Sequence, residues 1–357
     1  MQTGILGLSL WLPERIRDNS EWPEDFAEIL RQRATDRTLT TVSTGAGSGD
    51  RYSRIVARHL ANEVGDPFLN AKRRRVASDD LTSWSAECRA ARAALHDAGI
   101  AARDIDVVMS WAVVPDRSPA PPSATRVAYE IGAVDASAVG VEAGCASAVA
   151  QMEFAAALIE SGRARLVLLT QSHLILRTVS MRDAVSPILG DAATAMVLGP
   201  SEEHRIMATH VVSHGEYYDA VTWVRRGEDS PWYRAGSGFH LSSADRASAR
   251  VLIQNSVGLG VQTVREVLDK TTCQADDIDV LACTQPRRWM PEAVAEGLGL
   301  SPHTAPQTFD EIGHVGGCSA VANLVEARQR GLLAPGSLIA MYTQGVGFTR
   351  ASALIRW

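Results

Sequence analysis

The stretch VEAGCASAVAQ, residues Val141–Gln151, recurs in altered form as IGHVGGCSAVANL, residues Ile312–Leu324. The shared Ser-Ala-Val-Ala segment begins at Ser147 in the first copy and at Ser319 in the second, 172 positions later. A glycine-rich turn precedes the segment in both copies. Repetition of a phrase at a fixed spacing predicts that the fold itself is duplicated.

Two further pairs of similar segments support the duplication. Each pair is separated by 173 positions, and the pairs are Asp104–Met109 with Asp277–Ala282 and Leu166–Gln171 with Ile339–Gln344. Each copy contains continuous apolar strands that alternate with helices, a pattern that predicts an α/β protein with largely parallel sheets covered on both faces. We therefore predict two halves, residues 1–200 and residues 201–357, that pack with pseudo-twofold symmetry.

The order of elements is clearest in the first copy. Helical periodicity and buried strands predict a helix that ends at Gly99, strands over 106–114, 137–143 and 164–171, and a small-residue helix over 145–162. The aromatic and charged segment 202–245 lacks clear periodicity, and we predict strand and loop over the site entrance there. The first-copy helix follows a strand directly, so the turn between them is a candidate functional position.

Composition excludes several classes of function. The chain has 357 residues, 46% hydrophobic content and a formal net charge of −6, which gives no reason to expect binding to nucleic acid or to a membrane surface. The N-terminal residues lack a leader pattern and no apolar run of 18 residues occurs, so we expect a soluble, cytoplasmic protein. Five scattered cysteines without CxxC spacing are expected to be thiols.

The turn between the first-copy strand and helix contains Cys145. A thiol at a helix N-terminus lies in the field of the first-turn N–H groups, which is expected to lower its pKa and raise its nucleophilicity. Gly144 allows the tight turn. The alternative is a structural role, because a free cysteine often packs as a small hydrophobic residue.

Segments along most of the chain are similar to a known family. From about residue 50 onward, DAGIAARDIDVVM, PPSATRVAYEIGA, the Cys145 segment, ILGDAATAMVLG and APGSLIAMYTQGVGFTRASALIRW resemble the type III β-ketoacyl-acyl carrier protein synthases. The resemblance implies a thiolase fold of two duplicated βαβαβαββ halves, packed as a five-layered α-β-α-β-α structure. It also implies a homodimer, a cysteine acylated by a CoA or carrier-protein thioester, and an oxyanion hole formed by the backbone N–H groups of Cys145 and Val346.

Two departures from the family pattern change the expected reaction. Thr284 occupies the position of the family histidine, and His314 occupies the position of the family asparagine, two residues that stabilise the enolate formed on decarboxylation. A threonine hydroxyl donates one hydrogen bond but is no base near neutral pH. His314 can instead accept a proton from Cys145 or from an incoming hydroxyl, amine or thiol. Asp310 is a candidate third residue of a Cys-His-Asp arrangement, in which it would orient the His314 ring. Glu311 competes for that role, and the structural alternative is that Asp310 is a solvated acid in a turn.

Other candidates concern the pocket and the carrier. His173 follows a core strand and can approach the pocket, while Pro121, in a loop that resembles the family's intersubunit loop, is expected to shape the partner subunit's acyl pocket. Arg74, in the basic run 72–75, and Arg287 and Arg288 are candidates for docking an acidic carrier protein or the phosphates of CoA. A solvated charged face is the alternative for each arginine.

These observations favour an acyltransferase of specialised, polyketide-type or antibiotic-type metabolism. Cys145 would take an acyl group from an acyl carrier protein or CoA, and His314 would help to transfer it to a hydroxyl, amine or thiol without decarboxylation. No metal-ligand spacing, phosphate loop or dinucleotide turn occurs, so neither a metal nor a bound cofactor is expected. The alternatives are a decarboxylating carbon–carbon condensing enzyme and a non-catalytic thiolase-fold partner subunit.

Overall fold

The computed structural model describes residues 2–28, 31, 49–117, 121–183, 185–225, 239–242 and 245–357. Its strands are β1 (Thr3–Trp11), β2 (Ile16–Asp18), β3 (Arg73–Arg75), β4 (Val107–Ala112), β5 (Ser137–Gly140), β6 (Val167–His173), β7 (Ala192–Pro200), β8 (Arg205–Ser213), β9 (Thr222–Arg225), β10 (Phe239–Ser242), β11 (Ile278–Cys283), β12 (Leu338–Gly345) and β13 (Thr349–Arg356). Its helices are α1 (Arg51–Ala61), α2 (Ser83–Ala98), α3 (Ser123–Ile131), α4 (Ser147–Glu160), α5 (Arg246–Leu268), α6 (Met290–Leu298), α7 (Phe309–Ile312) and α8 (Ser319–Gln329), and residues 24–28 add a helical turn.

The main strands form one continuous array in the order β11-β12-β13-β8-β1-β7-β6-β4-β5. A single pairing, Gly4 with Arg205, joins β1 to β8 and so connects the strands of the two copies. The pairs β4–β5, β4–β6 and β11–β12 are parallel, whereas β6–β7, β1–β7, β12–β13 and β13–β8 are antiparallel. The prediction of largely parallel sheets is therefore wrong, because each copy adds antiparallel strands beside its parallel ones.

Helices α4 and α8 lie between the two groups of strands. Each contacts strands of both copies, while α2 and α3 cover the outer face of the first group and α5 and α6 that of the second. Sequence accounts for this position, because the first turns of both central helices bury Ser, Ala and Val side chains on nearly every side. A helix that is apolar all round is stable only when it is enclosed. The resulting layers are α-β-α-β-α, as the family resemblance implies.

Local signals explain several element boundaries. The side chain of Thr82 accepts a hydrogen bond from the Ser85 backbone N–H at the start of α2, and Gly99 ends the helix with a φ of 65°. The predicted end of this helix at Gly99 is confirmed. Asp245 caps α5 by accepting hydrogen bonds from Ala247 and Ser248.

The segment 202–245 is more regular than its sequence indicates, because β8 is a long strand paired with β13. Residues 226–238 and 243–244 of this segment lie outside the described residues, as do residues 118–120 of the predicted intersubunit loop. Along the described parts of the chain, no helix combines the length and apolar character needed to cross a bilayer. The division into halves at residue 200 stays a prediction.

Candidate active site

The first elbow, residues 142–147, brings Cys145 to the start of α4. Gly144 adopts a φ of +56°, a conformation that favours glycine, and a short 3₁₀ turn over Gly144–Ala146 leads into the helix. The Ser147 hydroxyl accepts a hydrogen bond from Ala143 N–H at 2.9 Å and donates one to the Gly144 carbonyl at 2.7 Å. These bonds hold the turn that carries the thiol.

The turn that follows β12 packs against this elbow. A Cβ atom added to Gly345 would lie 2.8 Å from the Cys145 backbone nitrogen, and one added to Gly144 would lie 2.8 Å from the Val346 nitrogen. Only glycine at both positions allows so close an approach of the two backbone segments. The structure thus brings the backbone N–H groups of the predicted oxyanion hole, those of Cys145 and Val346, into one small region.

The second elbow, residues 314–319, repeats the backbone of the first. Gly316 has a φ of +51°, a 3₁₀ turn spans Gly316–Cys318, and α8 begins at Ser319. The backbone of His314 is fixed against the segment before β7, donating to the Ile188 carbonyl at 2.6 Å and accepting from Gly190 N–H at 3.0 Å. The histidine is therefore held in place by backbone hydrogen bonds across the interface between the two copies.

Both elbows contribute to one cavity of about 450 Å³. Its polar lining includes Glu142, Cys145, His173, Thr284, Arg287, His314 and Gln344, and apolar side chains such as Trp111, Ile175, Leu189, Met290 and Phe348 supply most of the rest. The cavity is thus a mainly apolar pocket with a thiol and two imidazoles in its wall, the usual character of a small-molecule site.

The electrostatics of Cys145 differ from the sequence-based expectation. Burial raises the pKa of the Cys145 thiol to about 12, and the negative charge of Glu142 raises it further. The expectation that the helix N-terminus lowers this pKa is therefore wrong, because removal from water and a nearby carboxylate outweigh the N–H groups of the first turn. The resting nucleophile is a neutral thiol.

The two histidines in the cavity are also neutral. Burial, together with the neighbouring His173, lowers the pKa of His314 to about 3, and burial lowers the pKa of His173 to about 4. The ring centroids lie 5.8 Å apart, so a positive charge on either ring would oppose one on the other.

Hydrogen bonding indicates which nitrogen of the His173 ring carries the proton. His173 Nδ1 lies 2.8 Å from the Gly190 carbonyl, which can only accept, so Nδ1 donates and Nε2 keeps its lone pair. The His314 ring bonds to the backbone of Gln285, and its Nδ1 lies 3.5 Å from the Ser319 hydroxyl. A neutral imidazole has one N–H, so each ring that donates to a carbonyl retains a nitrogen that can accept a proton.

Thr284 lies in the same cavity with 1% of its surface exposed. Its backbone N–H donates to the Tyr342 carbonyl at 2.7 Å, but its hydroxyl has no partner among the described residues. A buried hydroxyl without a partner is unfavourable by about 1–3 kcal/mol, so a polar group on a bound molecule would satisfy it. The hydroxyl is available to hydrogen-bond a ligand in the cavity.

The structure does not place Asp310 as the partner of His314. Asp310 accepts hydrogen bonds from Arg288 Nε at 2.9 Å and from Lys72 Nζ at 3.0 Å, one on each carboxylate oxygen. Burial opposes ionisation, but these bonds prevail and lower the pKa of Asp310. Its competitor Glu311 also pairs away from the site, with Arg73 at 3.0 Å. Both acids follow the start of α7 and point to the basic strand β3 instead of the cavity.

Arg74 requires a clear correction, because it is fully buried and cannot dock a carrier protein. Its guanidinium lies 4.6 Å from the Trp22 ring centroid and hydrogen-bonds to the Pro187 carbonyl and to Asn19. Burial lowers the pKa of Arg74 to about 10. Since Pro187 precedes the residues that hold the His314 backbone, Arg74 supports the second elbow from behind.

The other predicted residues lie in different places. Arg287 lines the main cavity and pairs with Glu63 at 3.2 Å, whereas Arg288 borders a neighbouring polar cavity of about 520 Å³. Pro121 borders a third cavity, of about 660 Å³, together with Arg126. The docking role of the two arginines and the intersubunit role of Pro121 stay predictions.

Comparison with known proteins gives the family. The sequence model described as 3-oxoacyl-[acyl-carrier-protein (ACP)] synthase III C terminal matches residues 268–357, and the one described as 3-oxoacyl-[acyl-carrier-protein (ACP)] synthase III matches residues 139–215. A β-ketoacyl-[acyl-carrier-protein] synthase III from Rhodospirillum rubrum is 30% identical over 330 residues, which cover 88% of this chain and 99% of the relative. The chain belongs to the β-ketoacyl-acyl carrier protein synthase III family.

Solved structures agree with the family at the level of the fold. The 3-oxoacyl-[acyl-carrier-protein] synthase III from Aquifex aeolicus has a TM-score of 0.78 and 21% identity, covering 99% of this chain and 100% of the other. The priming β-ketosynthase from the R1128 polyketide biosynthetic pathway has a TM-score of 0.78 and 22% identity, covering 99% and 96%. The synthase III-family chain described here is thus a thiolase-fold enzyme.

Sequence reasoning missed one charged residue in the site. Glu142 lines the cavity, and its Oε1 accepts hydrogen bonds from Trp111 Nε1 at 3.0 Å and from Gly144 N–H at 2.7 Å. A signal was present, because Glu142 is a lone charge beside a glycine turn and precedes His314 by the same 172 positions that separate Ser147 from Ser319.

Proposed function

We propose that this synthase III-family enzyme is an acyltransferase that forms an acyl-Cys145 intermediate and passes the acyl group to a hydroxyl, amine or thiol without decarboxylation. The observation that carries the proposal is the composition of the cavity, in which two neutral imidazoles with available lone pairs, His173 and His314, accompany the thiol. Such groups accept protons. Stabilising an enolate requires hydrogen-bond donors instead, and the Thr284 hydroxyl offers only one.

Proton transfer in this site must accompany bond formation. The raised pKa of the Cys145 thiol and the lowered pKa of His314 oppose a resting thiolate–imidazolium pair. The sulfur therefore attacks the donor carbonyl while His314 takes the thiol proton, and the departing carrier thiol receives that proton. The acceptor then attacks the acyl-Cys145 carbonyl, the carbon–sulfur bond breaks, and the acceptor's proton ends on the Cys145 sulfur.

The transition state needs a site for the negative charge of the carbonyl oxygen. The closely packed backbone at Cys145 and Val346 suits this task, since preorganised N–H donors stabilise an oxyanion in a site that excludes water. The mainly apolar wall suits an acyl chain without charge. CoA or an acyl carrier protein is the proposed donor, with Arg287 in the wall of the main cavity and Arg288 at the neighbouring cavity to attract phosphate groups or an acidic carrier surface.

The proposal includes a homodimer. Large apolar side chains are exposed on the edge strand β5 and in the segment before it, namely Val139, Tyr129 and Val134. Exposed apolar side chains next to an unpaired strand edge favour association with a second chain. The proposed setting is specialised metabolism in the cytoplasm, by analogy with the polyketide priming synthase of the same fold, and the proposed reaction needs no metal or bound cofactor.

The test is intact-protein mass spectrometry on the wild type and the Cys145→Ala variant. Each protein is incubated with short acyl-CoAs and acyl-carrier proteins, and then with either malonyl thioester or hydroxyl, amine and thiol acceptors. The proposal predicts an adduct that requires Cys145 and that an acceptor discharges without CO₂ release. Discharge only by malonyl thioester with CO₂ would identify a condensing enzyme. No adduct from the donor panel would identify a non-catalytic subunit.

A further inference from the structure

Glu142 corresponds structurally to His314. The residues that follow them, Ala143 and Val315, have similar backbone angles (φ −144°, ψ 30° and φ −113°, ψ 34°), and each is followed by a glycine with positive φ. The duplicated fold therefore aims the side chains of Glu142 and His314 at the same cavity from related positions. One is a carboxylate, and the other is a neutral imidazole.

The Glu142 carboxylate is held in place with one oxygen available. Trp111 Nε1 and Gly144 N–H both donate to Oε1, whereas Oε2 has no partner among the described residues. The Trp111 ring also packs on the second elbow, since a Cβ atom added to Gly317 would lie 2.7 Å from it. The carboxylate is thus anchored between the two elbows, which is the arrangement that a functional group requires.

Glu142 is exposed to solvent where it borders the cavity, and no cation within the described lining of the cavity balances its charge. Arg287 is the cation among those residues, and it pairs with Glu63 at 3.2 Å. The two imidazoles are uncharged. A ligand with a carboxylate is therefore disfavoured beside Cys145, and a ligand that carries or develops positive charge is favoured.

We propose that Glu142 is a catalytic residue that selects a primary amine as the acceptor, binding its N–H groups beside acyl-Cys145 and taking its proton as the new bond forms. This inference rests on the proposed acyl transfer and names the acceptor class. When an amine attacks, its nitrogen becomes positively charged and acidic, so a carboxylate is a sufficient base. An alcohol does not acquire an acidic proton until bonding is advanced and needs a stronger base, which neither Glu142 nor the weakly basic His314 provides.

The step balances within the site. The amine nitrogen forms a bond to the acyl carbon, and the bond between that carbon and the Cys145 sulfur breaks. The ammonium proton moves to the Glu142 carboxylate, which passes it on to the departing sulfur and so returns to its starting state. The product is an amide and a neutral thiol, which is the form that burial of Cys145 favours.

The experiment compares acyl-Cys145 discharge by n-butylamine, n-butanol and butanethiol at equal concentrations. The same rates on urea-unfolded acyl-protein give the uncatalysed background for each acceptor. We expect acceleration over background to be at least about tenfold greater for the amine than for the other two. In Glu142→Gln, which keeps an oxygen for Trp111 and Gly144, amine discharge should fall by about 10²-fold or more, within the range for loss of a general base.

Two further readouts separate catalysis from structure. Glu142→Gln should still form the acyl adduct on Cys145, and its Cys145 should react faster with iodoacetamide because a neighbouring negative charge is removed. Glu160→Gln, the same change at the exposed end of α4, is the matched control and should discharge the amine at the wild-type rate.

Wild-type preference for the alcohol or the thiol would overturn the inference, as would amine discharge by Glu142→Gln at the wild-type rate. Both results would leave the proposed acyl transfer intact, because an adduct would form and be discharged without CO₂. Failure of the wild type to form an adduct, or discharge accompanied by CO₂, would overturn the proposed function and this inference with it.

Discussion

The two elbows have nearly the same backbone and different chemistry. Each has a glycine with positive φ, a 3₁₀ turn and a buried helix that starts with serine. Cys145 corresponds to Gly317, where a side chain would meet Trp111. The serines also differ, since Ser147 bonds to its own turn and Ser319 lies near the His314 ring. Duplication thus supplies two equivalent positions, and small changes in packing decide which carries a nucleophile.

The largest expected effect comes from removing the reactive side chain of each elbow in turn. Cys145→Ala should lose the acyl adduct completely, whereas His314→Ala should form it about 10²- to 10⁴-fold more slowly, the typical contribution of a general base. Single-turnover mass spectrometry measures the rate of adduct formation. A His314→Ala variant within about threefold of the wild type would show that the second elbow supplies no proton acceptor.

The supports of the two elbows also differ, since within the described part of the chain a buried arginine packs behind the second elbow and none behind the first. Arg74→Met removes the hydrogen bonds to Pro187 and Asn19 and should slow adduct formation about 10- to 100-fold through displacement of His314. Labelling of Cys145 by iodoacetamide should stay within about twofold in the folded variant. The control is Arg73→Met, which removes an exposed ion pair worth little. Equal losses in labelling and adduct formation would contradict a role specific to the second elbow.

The protonation states can be tested by pH. With the pKa of the Cys145 thiol raised to about 12, the thiolate fraction should rise about tenfold per pH unit between pH 7 and 9. The iodoacetamide rate should follow it, with no inflection near pH 6.5, because the pKa of His314 is lowered to about 3. Cys145→Ala corrects for the remaining thiols. A rate that reaches a plateau below pH 8 would indicate a thiolate–imidazolium pair instead.

The smallest expected effect tests why the second elbow has a glycine, Gly317, at the position where the first elbow has Cys145. Gly317→Ala should destabilise the protein by about 1–3 kcal/mol, because the added methyl group would overlap the Trp111 ring at 2.7 Å. Urea unfolding measures this change. Gly215→Ala, where an added Cβ has nothing within 4 Å, is the control. Equal stability of the two variants would mean that contact with the Trp111 ring is not what requires glycine at position 317.

Much of the architecture followed from the repeated phrase. The 172-residue spacing identified both elbows, and the family resemblance implied the central helical layer. The antiparallel strands were not predictable, because a run of apolar residues indicates a buried strand but not whether that strand pairs in parallel or antiparallel with its neighbour. The low basicity of His314 and the high pKa of the Cys145 thiol were missed because both arise from burial that only the folded chain creates.

Charged residues were the hardest to assign. The basic run containing Arg74 looked like a docking surface, but strand pairing between β2 and β3 turns alternate side chains inward and buries Arg74. Asp310 has the sequence spacing of a triad acid, and yet α7 directs it to Lys72 and Arg288. Sequence distance gave no information on which side of each element these groups face.

The most direct test of the account is CO₂ release from malonyl thioester labelled in its free carboxylate. Wild-type enzyme carrying an acyl group on Cys145 is supplied with labelled malonyl carrier protein or malonyl-CoA, and parallel samples receive n-butylamine. The account predicts discharge by the amine and no label in CO₂ above the background of Cys145→Ala. Release of one CO₂ for each acyl group discharged would contradict it and establish carbon–carbon condensation.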